Sequence, residues 1–357
     1  MRVLIDFHHD CLYESMALLC DRLGWELYRP IGMEWFAEGY WSHERKWHGD
    51  AVARQYLEPW GSDLWDGTNW TRLNAFHGRI HNLLPLEQAH DLRPDIVISS
   101  LAHNHEGFAR FASEVGATFG LQVGNVRFSA ADMAEDRWDL AAFGLVSALL
   151  PVTPPKPHVV YHQEFRIVDR FDGSPGFRYE PPPRGEFIVS SFVQCYPQDQ
   201  PAYDYWQKAA EQAPELCWKV YGAYGEAQPD QYQAGNLDRC ADVAQAMRAS
   251  DVAWHAKRWS DGFGHVAHNW HAVGRPMFGF RNYYKDQLAG QLWIEGETAW
   301  DIETRTPAEV ASLIRRFRDD EEFHLRACER SAARFAEVVN FDEEEGAIRA
   351  MFAQVLP

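Results

Sequence analysis

Residues Asp251 to Phe280, DVAWHAKRWSDGFGHVAHNWHAVGRPMFGF, decide the fold of this chain. Val252 to His255 form an apolar run of strand length, and Lys257 and Arg258 follow in a loop. The Gly-Phe-Gly of Gly262, Phe263 and Gly264 makes a turn that opens a helix over about His265 to Val273, with Gly274 placed to end it. Pro276 to Phe280 read as the next strand. A basic loop feeding a glycine turn and a helix N-terminus is a site for anionic phosphate. First-turn N–H groups have no intrahelical acceptor, the dipole is positive there, and glycine lets a ligand approach the backbone closely.

Outward from this stretch the chain reads as two α/β halves. The first opens with the strand Arg2 to Phe7, a helix from about Leu12 to Leu23 and the strand Glu26 to Pro30. Met33 to Trp70 is rich in tryptophan and has no clear period. A helix is expected near Leu73 to His81, then strands at Asp95 to Ser99 and Thr118 to Val123 around a helix from about Glu106 to Val115; Leu145 to Leu150 reads as a further strand. Proline clusters PVTPPKP and PPPRG bracket VVYHQEFRI, a strand for the edge of the first half. A second βαβ series starts with FIVSSFV at Phe187, continues through a helix near Tyr203 to Gln212 and reaches the strand Leu216 to Tyr221, with Gly222 behind it. After a helix over Val243 to Ala249 comes the stretch quoted above, and the chain from Pro307 onward is helical. The expected division is a Rossmann-like domain over 1–165, a proline-rich linker over 166–186, a second Rossmann-like domain over 187–335 and a closing helix over 336–357. Strands and helices alternating at these lengths imply parallel, doubly wound sheets.

Composition narrows the class. At 357 residues two domains are the default, and 46% hydrophobic with 24% charged residues is the balance of a soluble globular protein. No apolar run is long enough to span a membrane, and the opening MRVLIDFHHD is a strand rather than a secretory signal; a cytoplasmic location is expected, that of the host if the chain is viral. Six cysteines without a C-x-x-C pair fit reduced thiols better than a disulfide framework or a zinc site. A net charge of −18 argues against nonspecific coating of nucleic acid but allows a local basic cleft.

The quoted stretch resembles the donor-site signature of the GT-B glycosyltransferases: an acidic residue, Gly-Phe-Gly, a helix ending in a second acidic residue, and a small-x-Gly-x-Pro close. Here these are Asp261, Gly262 to Gly264, and Ala272 to Pro276, about a tenth of the chain. The second acidic position, which in the family grips the ribose hydroxyls, holds Asn269, an uncharged donor and acceptor. The resemblance implies two Rossmann-like domains facing across a cleft, with the last helix crossing back to brace the first domain. It also implies a nucleotide sugar, a UDP-sugar, as co-substrate.

On that reading Lys257 and Arg258 neutralise the diphosphate leaving group, Asp261 contacts the transferred sugar, Asn269 the ribose, and Gly222, Gly262, Phe263 and Gly264 shape the donor site. The bland alternatives are a solvated basic pair, an N-capping acid and structural glycines. His8, His9 and Asp10 follow the first strand, where the family's loop approaches donor and acceptor; a histidine there orients an acceptor hydroxyl or acts as base, while Asp10 also suits a helix cap. In SLAHNHEGF, His105 is nearest the next helix and takes the position of the histidine that retaining members place near the sugar's reactive carbon; a plain loop histidine is the alternative to His103 and His105 alike. No H-E-x-x-H, Cys pair or D-x-D is present, so no metal is expected and cationic side chains take its place. G-x-G-x-x-G after the first strand and the P-loop signature are also missing.

The acceptor is read from the opening. HHD, RLGWELYRPIGMEWF and EGYW resemble phage-encoded glycosyltransferases, some of which modify hydroxymethylated cytosine in DNA. Trp35, Trp41, Arg45 and Lys46, with neighbouring arginines and tryptophans, suit a flipped base and a phosphate backbone; they equally suit a glycan or small molecule. The expected activity is glycosyl transfer to a hydroxyl with retention, the acceptor being 5-hydroxymethylcytosine in DNA. A nucleotide-sugar epimerase or an inactive sugar-nucleotide binding module of the same fold are the rivals.

Overall fold

A computed structural model describes residues 1–6, 10–30, 64–65, 70–74, 79–84, 86–100, 102–124, 136–147, 158–161, 176–192, 200–222, 231–237, 239–258 and 264–356. The chain divides into two compact units, Met1–Ile167 with Phe341–Pro357, and Val168–Asn340.

The first unit is built on strands β1 (Arg2–Ile5), β2 (Glu26–Pro30), β3 (Leu64–Trp65), β4 (Trp70–Asn74), β5 (Arg79–Leu84), β6 (Ile96–Ser99), β7 (Thr118–Val123), β8 (Phe143–Val146) and β9 (Val159–Tyr161). They lie in the order β3-β4-β5-β2-β1-β6-β7-β8-β9, so the VVY of the bracketed segment closes one edge. All neighbours are parallel except the hairpin β3-β4-β5. That hairpin corrects the helix expected near Leu73 to His81. Trp70, Leu73, Ile80 and Leu83 have spacings that suit a helical stripe, but Trp70 pairs with Leu83 and Leu73 with Ile80 across antiparallel strands. The strand read at Leu145 to Leu150 runs instead over Phe143–Val146, and residues 148–150 lie outside the described residues.

Helices α1 (Asp10–Leu23), α2 (Leu86–Leu92) and α3 (His105–Val115) connect these strands. Alternation along the parallel strands sorts side chains onto two faces. Val3, Ile5, Ile96, Ile98, Phe143 and Leu145 pack with α1 on one face; Leu4, Val97, Phe119, Leu121 and Val146 pack with α3 on the other. The last helix, α10 (Phe341–Val355), returns to the first face: Ile348, Met351 and Phe352 are buried there, with the Phe352 ring edge-on to Phe143 at 4.8 Å and Trp25 at 5.0 Å. Burying each such side chain contributes about 1.5–3 kcal/mol.

The second unit carries β10 (Ile188–Phe192), β11 (Cys217–Tyr221), β12 (Gln233–Gly235), β13 (Val252–His255), β14 (Met277–Gly279) and β15 (Ala299–Asp301), with α4 (Gln200–Gln212), α5 (Cys240–Arg248), α6 (His265–Ala272), α7 (Arg281–Tyr284), α8 (Pro307–Asp319) and α9 (Glu321–Val338). Every pairing is parallel, in the order β12-β11-β10-β13-β14-β15. Numbered from β10 this is 3-2-1-4-5-6, the doubly wound order of dinucleotide-binding sheets. Its core is aromatic: Trp206, Trp218, Trp254, Phe278, Trp300 and Phe317 interlock at ring separations of 4.8 to 6.4 Å. These tryptophans take the bland, core-filling role.

At the N-terminal end of that sheet Arg275 is fully buried. Its guanidinium donates to the carbonyls of Ser250 and Arg248, each at 2.5 Å, and of Val273 and Glu180, each at 2.8 Å. Asp251, itself 3% exposed, accepts the Ile188 N–H at 2.7 Å, and burial pushes its carboxyl up to about 6. One cation thus fastens the turn after α6, the end of α5 and the 176–180 segment to the base of β13.

Candidate functional site

In a sheet of this order ligands bind beyond the carboxyl ends of the strands, where the winding reverses. In the second unit that point lies between β10 and β13. Phe192 ends β10, stacked on Tyr221 at 4.6 Å and edge-on to Trp270 at 5.3 Å. His255 ends β13, and half-buried Lys257 and exposed Arg258 follow it directly. Gly222 follows β11 with φ +128°, its N–H bonded to the Gly235 carbonyl at 3.1 Å.

The helix after the basic loop begins at Gly264, an N-cap with φ +79° and ψ +44°. A side chain there would be strained by the left-handed backbone, and its Cβ would stand 2.7 Å from the Ala289 Cβ. Two histidines of α6 bond back onto the helix: His268 Nδ1 meets the Gly264 carbonyl at 2.9 Å and His271 Nδ1 the Ala267 carbonyl at 2.9 Å. Burial pushes His271 down to about 4, so at neutral pH it adds no charge. Asn269 is 7% exposed, and its Oδ1 has no hydrogen-bond partner among the described residues. A buried carbonyl oxygen without a donor is costly, and any O–H or N–H group brought to it would satisfy it.

The first unit has its own reversal point, between β1 and β6. Asp6, directly after β1 and 1% exposed, accepts from Ser99 Oγ (2.9 Å), Ser100 N–H (2.5 Å), Ser100 Oγ (2.6 Å) and Asn104 Nδ2 (3.4 Å). Its carboxylate therefore holds the loop that runs from β6 through a 3-10 turn (Ala102–Asn104) into α3. His105 opens α3, is 1% exposed, and its Nδ1 accepts the backbone N–H of Arg137 at 3.1 Å. The Arg137 guanidinium bridges Glu106 and Asp139, fastening the donating segment to the first turn of the same helix.

Of the residues singled out from sequence, Lys257, Arg258, Gly264, Asn269 and Gly222 stand in the second unit, on and beyond the carboxyl ends of β11 and β13. His105 stands in the first unit. Asp261, Gly262, Phe263, His8, His9, Trp35, Trp41, Arg45 and Lys46 lie outside the described residues, and Asp10 is described only as the first residue of α1. Sequence reasoning passed over Asp6, Asn104 and Arg275. An acid ending an otherwise apolar strand was the available signal for Asp6. No group of three or more metal-ligating side chains occurs among the described residues. No helix among them is long and apolar enough to cross a membrane.

No protein-family profile matches the chain, and no curated protein sequence does. Its fold has relatives among solved structures. Anabaena HepE in complex with UDP and glucose superposes with a TM-score of 0.62 at 11% identity, covering 99% of this chain and 100% of HepE. TarM gives 0.59 at 8% identity over 98% of each chain. Sucrose-phosphate synthase of Thermosynechococcus elongatus gives 0.57 at 11% identity, over 99% of this chain and 98% of the synthase. The two doubly wound units and the returning last helix are the GT-B fold of glycosyltransferases.

Proposed function

We propose that the protein is a glycosyltransferase that moves a sugar from a UDP-sugar to a hydroxyl acceptor without a metal ion. The observation that carries this reading is the second unit's reversal point. Lys257, Arg258 and the Gly264-capped start of α6 follow β13 there. Two cations and a helix N-terminus suit a diphosphate leaving group, whose charge grows as the glycosidic bond breaks. Asn269 then meets a ribose hydroxyl with its unpartnered Oδ1. Anabaena HepE, a fold relative, binds UDP and UDP-glucose, which supports the choice of nucleotide. Asp261 is the proposed contact to the transferred sugar, and the acid-Gly-Phe-Gly resemblance supports retention of configuration.

The acceptor proposed first is 5-hydroxymethylcytosine in DNA, in a protein of phage origin. Its support is the resemblance of the opening segment and the arginines and tryptophans between Arg29 and Arg79. The net charge of −18 favours a second reading, a glycan or small-molecule acceptor. One experiment separates them: incubation with a panel of UDP-sugars and hydroxymethylcytosine-containing DNA, then digestion to nucleosides and mass spectrometry. A hexose-shifted nucleoside establishes DNA as acceptor. UDP release into water without that shift moves the acceptor to the second reading. Neither product with any donor sinks the enzyme reading.

A further inference from the structure

We infer that residues 176–180 form a strap that positions α6 by its C-terminal end, and so set how well the start of that helix receives a diphosphate. The inference rests on the donor site proposed above and deepens it: Tyr179 and Arg275 are positioning residues at the end of the helix away from the ligand. α6 is a short rod between two glycine joints. Gly264 opens it at φ +79° and Gly274 follows it at φ +70°, left-handed values that let the chain turn sharply at both ends. Several of its buried polar side chains make no hydrogen bond to a neighbouring element. Asn269 Oδ1 and Trp270 Nε1 have no partner among the described residues, and His271 bonds back to Ala267 of the same helix while its Nε2 stays unpartnered. Apolar burial is non-directional, so the bonds at the helix ends weigh heavily on its axial position.

At the C-terminal end those bonds are dense. The Arg275 N–H donates to the Trp270 carbonyl at 2.9 Å, and the Arg275 guanidinium donates to the Val273 carbonyl at 2.8 Å, a cation on the negative end of the helix dipole. The same guanidinium donates to the Glu180 carbonyl of the strap at 2.8 Å. Half-buried Tyr179 lies against Gly274: a Cβ there would stand 2.3 Å from Tyr179 Cδ2 and 3.0 Å from the Cys328 carbonyl oxygen, so glycine is what lets the ring come this close. The strap is itself anchored. Phe177 is 1% exposed, and the Arg248 guanidinium donates to the Gly176 carbonyl and lies 3.4 Å from the Glu180 carboxylate. Eight residues of helix separate this clamp from the first-turn N–H groups, about 12 Å at 1.5 Å per residue. A helix so short moves as one body, and its attraction for an anion falls off within the first turn, so a displacement at Gly274 is felt at the phosphate.

The test has two arms. Calorimetry with UDP and with uridine compares wild type, Tyr179→Ala and Tyr179→Phe, each shown to be folded by urea unfolding. Tyr179→Ala should weaken UDP about threefold to tenfold, the worth of a helix terminus to an anion, and leave uridine unchanged. Tyr179→Phe should match wild type, because the ring and not the hydroxyl meets Gly274. Tyr179→Leu gives a milder form of the same split should the alanine variant not fold. Unchanged UDP affinity in a folded variant overturns the proposal, and so does an equal loss for both ligands, which would mean general loosening. In the second arm, amide hydrogen exchange without ligand should speed up over residues 264–274 in Tyr179→Ala and stay as in wild type over α8; unchanged exchange in α6 overturns the strap. If wild type binds neither UDP nor uridine, the donor reading falls and takes the diphosphate role with it, while the exchange arm still decides whether the strap holds α6.

Discussion

The start of α6 gives a sharp quantitative test, because two separable penalties meet at Gly264. Replacement by Ala would hold an L-residue at φ +79°, which costs about 1–2 kcal/mol relative to glycine. It would also set the new Cβ 2.7 Å from the Ala289 Cβ, well inside the ~3.5–4.0 Å of a favourable carbon contact. Overpacking of this kind costs about 1–3 kcal/mol. Gly264→Ala should therefore destabilise the protein by about 2–5 kcal/mol. Ala289→Gly removes the opposing methyl, so it relieves the second penalty and leaves the first. In urea unfolding of the four proteins of the cycle, the double variant should be more stable than the sum of the singles predicts, by about 1–3 kcal/mol. UDP titration supplies the functional half: any shift of the helix start that relieves the overlap moves its N–H groups, so Gly264→Ala weakens UDP and the double variant recovers part of the loss. Additivity within about 0.5 kcal/mol would show that the methyl groups do not meet, and would refute the steric argument.

Three further outcomes follow from the second unit. Lys257→Ala should weaken UDP about tenfold to a hundredfold while leaving uridine affinity unchanged, because only the diphosphate carries the charge it neutralises; calorimetry with both ligands checks this. Asn269→Ala should leave the unfolding midpoint nearly unchanged, since Oδ1 has no partner to lose, yet weaken UDP about tenfold. Asp251 makes stability depend on pH. Its carboxyl rises from 3.8 to about 6 on folding through burial, so its contribution is complete below about 4 and lost as pH rises through 6. At about 1.4 kcal/mol per pH unit, Asp251→Asn should gain about 2 kcal/mol on wild type between pH 4 and pH 7. His271 and His324, both lowered by burial, act in the opposite direction; His271, away from Asp251, cancels in that difference, while His324 bonds to the Asp251 carbonyl, which the substitution retains. A wild-type-to-variant gap that stays flat across this range would contradict the burial argument.

The elements that were legible in the sequence are those whose cause is local. Apolar runs such as Val252 to His255 and Thr118 to Val123 are buried parallel strands, and nothing distant is needed to make them so. Gln233–Gly235 and Ala299–Asp301, three residues each, are strands only because a parallel neighbour is already in place, so no period announces them. The 70–84 hairpin failed for a different reason, since its apolar spacing satisfies two periods and only pairing decides between them.

The same distinction separates the reversal point of one unit from that of the other. The phosphate chemistry proposed for the second unit rests on residues contiguous in sequence, Lys257 to Asn269, and a contiguous segment can be read. In the first unit the chemistry is set across the chain: Asp6 reaches Ser99 and Asn104, 93 and 98 residues away, and His105 takes its hydrogen-bond polarity from Arg137, 32 residues on. A sequence shows that a histidine stands where α3 begins. Which of its ring nitrogens accepts a hydrogen bond depends on which one faces a backbone N–H, and only the fold brings that N–H to it.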